Sequence, residues 1–509
     1  MTWHADHPHE EGRLHEEGLS LLKAGQLDAA LDRIGRAIDL ASEAALSAQK
    51  IALPAQQTAQ SAQTTALPAR QTAQLHNSFG VVLAEMGQPE AAASSFRIAL
   101  ALAPSDAGTW SNLGNAARLA EAHARALALD PDAAGAYGNL ASLRQSAGAR
   151  AEAERLWRRA LALRPAFAEA WSNLGASRQH RGELGFAAEA FPRAIAADPG
   201  FADGWFNRGV LRLLRGDYAG GLADYEKRWK RRGLIRPALG LRAWTGEDPK
   251  GRRLLVWAEQ GHGDTIQFAR FVPRLGRLGA EVVLAVPRRL VSLLASLAGA
   301  GRVVAIEEPL PAADLQAPLM SLPFLLGLGE ATAQPIAPYL VPPSPSAALG
   351  GDGRPLVGLV WAGNPANESD RWRSLALARL APVLAQDGLR FVSLQFGPGA
   401  ADVAAAGLED RIETPDLGDF ASTAALLASL DLVVTVDTAM AHLAGAIGKE
   451  AWVLLAHVPD WRWGMKGERT SWYPSLRLFR QPSPGGWDAV VAELAQALRR
   501  RFPGTAGAG

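Results

Sequence analysis

Three stretches of this 509-residue chain concentrate side chains with chemical reach. The first is Glu259-Gln260-Gly261-His262-Gly263-Asp264-Thr265, which follows an apolar run and opens a helical pattern. Gly261 and Gly263 let the backbone approach a ligand closely, and a helix N-terminus favours an anion. The plainer alternative has Asp264 capping that helix. The second stretch, residues 361–374, gathers Asn364, Arg371, Arg373 and Ser374 in a loop after another apolar run. Guanidinium forks match phosphate oxygens, whereas a solvated loop would carry the same charges idly. The third, residues 436–446, passes from a buried strand to a helix almost at once. N–H groups at Thr438, Ala439 and Met440 would then point at a diphosphate. His442, in the first turn, adds a donor or is a satisfied core histidine. Asp437 caps the helix or orients the turn, because a carboxylate repels phosphate.

Elements that place three loops this way must alternate. Short apolar runs occupy 254–258, 281–286, 303–306, 356–361, 390–395, 432–436 and 451–455, with amphipathic segments between them. Alternation of this kind predicts parallel sheets covered by helices. A Pro-rich break at 341–355 divides the runs into an N-lobe, 251–345, and a C-lobe, 346–500. Two Rossmann-like lobes facing across a cleft are the expected α/β architecture. Ligands would sit beyond the carboxyl ends of the strands. Residues 236–250 read as a linker and 501–509 as a disordered tail.

The preceding half repeats. Tyr137, Trp171 and Trp205 stand 34 residues apart, followed by Leu140 and Leu174 and by small residues at Ala141, Gly175 and Gly209. Ala153, Ala187 and Gly221 recur with Trp157, Phe191 and Tyr225, and Pro165 and Pro199 close full units. Small residues let paired helices approach, large ones fill the groove between units, and proline stops the second helix. The spacing resembles the tetratricopeptide repeat (TPR) and predicts about six all-α units over 11–235. The unit at Trp110 is shortened, since Tyr137 follows after only 27 residues. A low-complexity insert at about 45–72 carries a 14-residue duplication, IALPAQQTAQ returning as TALPARQTAQ with Pro54 and Pro68. It reads as a flexible excursion or a recognition arm. TPR arrays present a concave groove to peptides or helices. Asn112, Asn139, Asn173 and Asn207 hold equivalent places and would line it, an amide both donating to and accepting from a bound backbone. Capping of turns, or an array that only dimerises or stiffens the chain, is the alternative.

A formal net charge of +1 argues against a nucleic-acid or anionic-membrane binder. The absence of cysteine excludes structural disulfides and thiolate zinc sites. Residues 1–10 lack a basic start and an apolar core, so they read as a disordered terminus rather than a secretory signal, and His4, His7, His9 and His15 as polar rather than metal-binding. No apolar run is long enough to span a bilayer, and a cytoplasmic location is expected.

Taken together, the three loops resemble glycosyltransferase family 9, the heptosyltransferase-like group with the GT-B fold. Asp437, Thr438, His442, Leu443, Ala444, Gly448 and Lys449 match its signature D-[ST]-x-x-x-H-[LI]-A-x-x-x-G-K. The Gly263-Asp264 turn resembles the family's G-D turn, which implies that Asp264 is the general base. WAEQGHGDTIQFARFVP, GLVWAGNPANESDRWRS and PDWRW resemble TPR-linked bacterial glycosyltransferases, some of which modify flagellin with sialic-acid-like sugars. The resemblance implies inverting transfer from a nucleotide-sugar to a protein hydroxyl. It implies no cofactor and, with no D-x-D after residue 250, no metal. Flagellin held by the repeats is the implied acceptor. The short N-lobe lacks identifiable lipopolysaccharide-acceptor features, which favours a protein acceptor. A catalytically inactive TPR adaptor and a nucleotide-sugar epimerase or hydrolase of the same fold are the competing readings.

Overall fold

The computed structural model describes residues 10–52, 69–336, 338–344, 352–367 and 369–503. His4, His7, His9, the core of the duplicated insert with Pro54 and Pro68, and the last six residues lie outside the described residues. His15 is described, and its Nε2 stands 2.9 Å from Ser78 Oγ.

Among the described residues twelve helices come first: α1 (Glu10–Lys23), α2 (Leu27–Ala52), α3 (Ala69–Glu85), α4 (Pro89–Leu102), α5 (Ala107–Ala117), α6 (Ala120–Leu129), α7 (Ala134–Ser146), α8 (Arg150–Leu163), α9 (Ala168–His180), α10 (Leu184–Ala197), α11 (Ala202–Leu214) and α12 (Tyr218–Tyr225). In sequence they form the six expected pairs. The described margins of the insert are helical, since α2 runs to Ala52 and α3 begins at Ala69.

The 34-residue spacing has a physical basis. The indole N–H of Trp110, Trp171 and Trp205 donates to the carbonyl six residues earlier, that of Pro104, Pro165 and Pro199, at 2.8, 2.8 and 3.0 Å. The proline that ends one repeat thereby accepts from the tryptophan that starts the next. The other helix-pair turns pass through Gly25, Gly87, Gly148, Gly182 and Gly216 at positive φ. The shortened unit turns instead on Arg118, the only described non-glycine residue with positive φ, at 53°. Within it His123 replaces a core aromatic. It is fully buried, and burial pulls its pKa down to about 4, so the ring is neutral.

The chain divides into two compact units, Met1–Ser177 with Ala196–Asp198, and Arg178–Ile195 with Pro199–Gly509. The second holds two all-parallel sheets. The first sheet runs β1 (Arg242–Ala243), β5 (Leu315–Pro318), β2 (Arg253–Trp257), β3 (Glu281–Val286), β4 (Arg302–Ala305). The other runs β11 (Leu476–Arg480), β10 (Ala451–Leu455), β9 (Leu432–Val436), β6 (Leu356–Val360), β7 (Arg390–Ser393), β8 (Ile412–Glu413). β9 and β10 are buried along their whole length, as strands covered on both faces must be.

Seven of these strands are the seven apolar runs; β1, β5, β8 and β11 were not anticipated. β1 lies inside the expected linker, which is therefore part of the fold. Trp244 just beyond it is 3% exposed, and its indole N–H donates to Glu247 O at 2.7 Å. The reason lies in β2. Leu254 and Val256 face a core shared with α11 and α12, while Leu255 and Trp257 face the other way. That outer face is covered by Trp229, Leu239 and Leu241 from the segment after α12.

Candidate functional site

The carboxyl ends of the two sheets approach each other. β2 leads through residues 258–261 into the helix His262–Ala269, and β9 through Asp437 into the helix Ala439–Ala446. The two helix starts abut: a Cβ added to Gly263 would lie 2.9 Å from His442 Cδ2 and 3.3 Å from Ala439 Cα. Only glycine permits this approach. The positive ends of two helix dipoles thus meet at one point, where three aspartates and two arginines gather.

Asp264 caps its helix and also makes an ion pair. Its Oδ2 accepts from Gly261 N at 3.1 Å, a helix-capping contact. Its Oδ1 accepts from Arg462 Nη2 at 2.6 Å. About a quarter of its side chain stays exposed. Burial raises its pKa, with the Arg462 cation pulling the other way.

Arg462 is the organising cation, and it was not singled out from the sequence. It lies in a 3-10 turn (Trp461–Trp463) after β10 and is 8% exposed. It donates to Asp264, to Gln267 Oε1 at 2.6 Å and to Asp460 Oδ1 at 2.8 Å. Asp460 in turn accepts from Arg462 N at 3.0 Å. PDWRW carried the signal: an aspartate two residues before an arginine, set between tryptophans that bury the pair.

Asp437 ends β9. Burial first, then the Asp460 charge, raises its pKa to about 6. It does not cap the helix. Thr438 does, its Oγ1 accepting from Met440 N at 3.3 Å and lying 3.1 Å from Thr435 Oγ1. One N–H expected to be free is therefore engaged, and Ala439 faces Gly263. His442 is 5% exposed, stacks on Trp463 at 5.3 Å and sets Nδ1 3.2 Å from Tyr473 OH. Burial holds its pKa well below the usual value, so it is a neutral, packed histidine. Lys449 turns away to donate to the carbonyls of Ala428 and Leu430.

The arginine loop separates its members. Arg373 Nη1 donates to Asp437 O at 2.9 Å and Nε to Asp370 Oδ1 at 3.2 Å. Arg371 is exposed and lies over the Trp372 ring at 5.2 Å. Asn364 Oδ1 accepts from Ala366 N at 3.0 Å, which fixes the turn. His262 packs against Phe420 at 5.1 Å, and Phe420 against Phe396. These rings pack between the two sheets, and Arg289 donates to Gly418 O at 2.8 Å.

Of the repeat asparagines, Asn112 Nδ2 donates to Asn77 Oδ1 at 3.0 Å and Asn173 Nδ2 to Ser142 Oγ at 3.5 Å. Asn139 and Asn207, like these two, are half-buried. Part of this row therefore ties neighbouring helices to one another.

The tetratricopeptide-repeat family matches residues 78–141 and 181–233. The first half of the chain carries TPR repeats. Protein FlbA of Caulobacter vibrioides is 32% identical over 288 residues, which is 50% of this chain and 48% of that protein. The chain thus spans about half the length of this curated relative. Similar solved structures include the APC/C hetero-tetramer Cut9-Hcn1, with 14% identity, 44% of this chain and 41% of that one covered, and TM-score 0.36. MamA shares 24% identity over 33% of this chain and 99% of its own, TM-score 0.27. YrrB, a TPR protein with an unusual peptide-binding site, shares 22% over 31% and 84%, TM-score 0.25. No helix among the described residues is long and apolar enough to cross a membrane.

Proposed function

We propose that the two-sheet unit is a GT-B-type glycosyltransferase that passes a sugar from a nucleotide donor to a Ser or Thr hydroxyl of a protein held by the repeats. The observation that carries this is the meeting of Asp264 from one sheet with Asp437, Thr438 and Arg373 from the other, bridged by Arg462. Beyond it stands the resemblance to family 9, which also suggests a flagellin acceptor and a sialic-acid-like sugar.

In the reaction the acceptor oxygen attacks the anomeric carbon, the bond from that carbon to the phosphate oxygen breaks, and the hydroxyl proton passes to Asp264. Charge then grows on the leaving phosphate, where Arg373 and the helix start at Ala439 offer compensation. Burial raises the pKa of Asp264, which makes it a stronger base, and Arg462 holds it in place. Because Gly263 and Ala439 touch, donor entry requires the two sheets to part by a small hinge movement at this contact.

Replacing Asp264 by Asn in the full chain and weighing a co-expressed acceptor protein by intact mass tests the base. A fall in transfer of roughly 10²–10⁴-fold, with circular dichroism unchanged, is expected. Normal transfer by a folded variant removes Asp264 from the role.

One observation favours the adaptor reading: both arginines and the Thr438 cap are already satisfied within the protein, as in a scaffold with a closed cleft. An acceptor that binds the repeats yet never gains mass beside the wild-type chain would establish it.

A further inference from the structure

The last repeat helix, α12, and the turn after it touch both approaches to the Asp264–Arg462 pair. At the start of α12, Tyr218 sets its ring edge-on to Trp461 and Trp472, with centroids 6.4 and 6.2 Å apart and planes at 68° and 77°. Trp461 is the residue before Arg462, and the Arg462 guanidinium lies over its ring at 4.5 Å. At the end of α12, Tyr225 OH accepts from Gln260 Nε2 at 3.1 Å. One turn on, Arg228 Nη2 donates to both Glu259 oxygens, at 2.8 and 3.1 Å. Glu259 and Gln260 lead directly into Gly261, whose N–H donates to Asp264. All of these residues belong to the second compact unit.

This support is itself held firmly. Asp224, 4% exposed, ties α12 to α11 by accepting from Arg208 Nε and Nη2 at 2.7 and 2.8 Å and from Arg212 Nη1 at 2.8 Å. A guanidinium fork on a carboxylate fixes direction as well as distance. The Tyr225 ring packs against Phe206 with centroids 5.2 Å apart, and the Arg228 guanidinium lies over it at 4.9 Å. Glu259 also accepts from Met320 N at 3.1 Å. Its side chain is 2% exposed, whereas Gln260 is exposed, so the Arg228 contact is the stronger of the two. Asp264 and Arg462 stand 198 residues apart, on loops that follow strands of different sheets. No strand register fixes their separation. It depends on how the sheets pack and on what both loops rest on, and reacting groups need placing to within about 0.5 Å.

We infer that Tyr225 and Arg228 are positioning residues: through Gln260 and Glu259 they hold the Asp264 turn against Arg462, which makes the last repeat a working part of the transfer site. The inference rests on the reading of Asp264 as the base. Without this hold the turn draws back, and Asp264 loses both its cation and its alignment with the acceptor hydroxyl.

The test is a double-mutant comparison in the full chain. Tyr225→Phe, Glu259→Gln and Asp264→Asn, and Asp264→Asn combined with each of the first two, are expressed by induction in place of the native chain in its own organism. Flagellin purified at intervals is weighed by intact mass. Tyr225→Phe removes one hydroxyl, and Glu259→Gln keeps the shape while removing the charge that Arg228 grips. Mass gain should slow about threefold in Tyr225→Phe and about tenfold in Glu259→Gln, with thermal midpoints showing that the purified variants fold. In the Asp264→Asn background neither should slow it further, because a residue that acts through Asp264 then has nothing left to position. A merely structural defect lowers the folded amount and cuts transfer by the same factor in both backgrounds. The inference is overturned, and the base reading kept, if Asp264→Asn slows transfer while the folded Tyr225→Phe and Glu259→Gln chains work at the normal rate or lose the same factor in both backgrounds. Should Glu259→Gln fail to fold, Tyr225→Phe decides alone. If flagellin gains no mass beside the wild type, or Asp264→Asn transfers normally, the reading of the site falls and this inference with it.

Discussion

Asp437 shows how a single buried carboxylate can weigh against stability. An aspartate ordinarily titrates near 3.8; burial, aided by Asp460, lifts this one to about 6. The native state therefore holds the proton more tightly than the unfolded chain. Stability falls as pH rises from about 4 through 6, and the penalty is complete above that. Two pKa units correspond to at most ~3 kcal/mol. Asp437→Asn should accordingly gain about 1–3 kcal/mol at pH 7–8 and nothing near pH 4, read from urea midpoints at each pH. Thr438, not Asp437, caps the helix, so the substitution leaves that cap intact.

At the level of elements, the turn between α5 and α6 departs from its neighbours. The others use glycine, whereas Arg118 holds a left-handed backbone there. An L-residue in that conformation costs roughly 1–2 kcal/mol, of which glycine's greater freedom when unfolded returns part. Arg118→Gly should stabilise the chain by about 0.5–1 kcal/mol, measured as a rise in thermal midpoint. A fall would mean that the Arg118 side chain contributes more than its backbone costs. The same shortened unit places His123 where Gly80's partner is Phe96, so the imidazole fills a space made for a ring. That is why a 27-residue spacing still packs.

At the scale of the molecule, the last repeat pair belongs energetically to the α/β unit. Arg228, fully buried after α12, donates to Glu259 at 2.8 Å, to Glu226 at 2.5 Å and to Ser321 Oγ at 2.7 Å. Glu259 is the residue that starts the Gly261–Asp264 loop, and burial raises its pKa to about 7 even with Arg228 beside it. Gln260 Nε2 adds a bond to Tyr225 OH at 3.1 Å. A chain cut to begin at residue 236 would strand the Glu259 carboxylate and uncover Trp257. Loss of one partner of a buried ion pair costs about 3–5 kcal/mol, before the lost apolar burial is added. Such a fragment should aggregate or melt far below a chain beginning at Arg178, which keeps α10, α11 and α12. Equal melting of the two fragments by calorimetry would show that the repeats contribute nothing to the sheets.

Local interactions were legible in the sequence because they recur at fixed spacing. The tryptophan-to-proline bond spans six residues, and paired helices demand small and large residues at set offsets, so the repeats followed from counting. Strands buried on both faces are continuous apolar runs, so seven of them could be read. Edge strands β1, β8 and β11, and the short β5, have little apolar length and take their place only from a neighbour. Asp264, Asp437 and Arg373 could be named because each follows a strand that ends in a loop. Arg462 was legible only through its local bond to Asp460, because its other partners, Gln267 and Asp264, stand 195 and 198 residues away and no spacing encodes them. The sequence by itself determined the repeats, the alternation and the three loops. Only the folded chain decided which charges meet, because pairing across a core depends on packing geometry and not on distance along the chain.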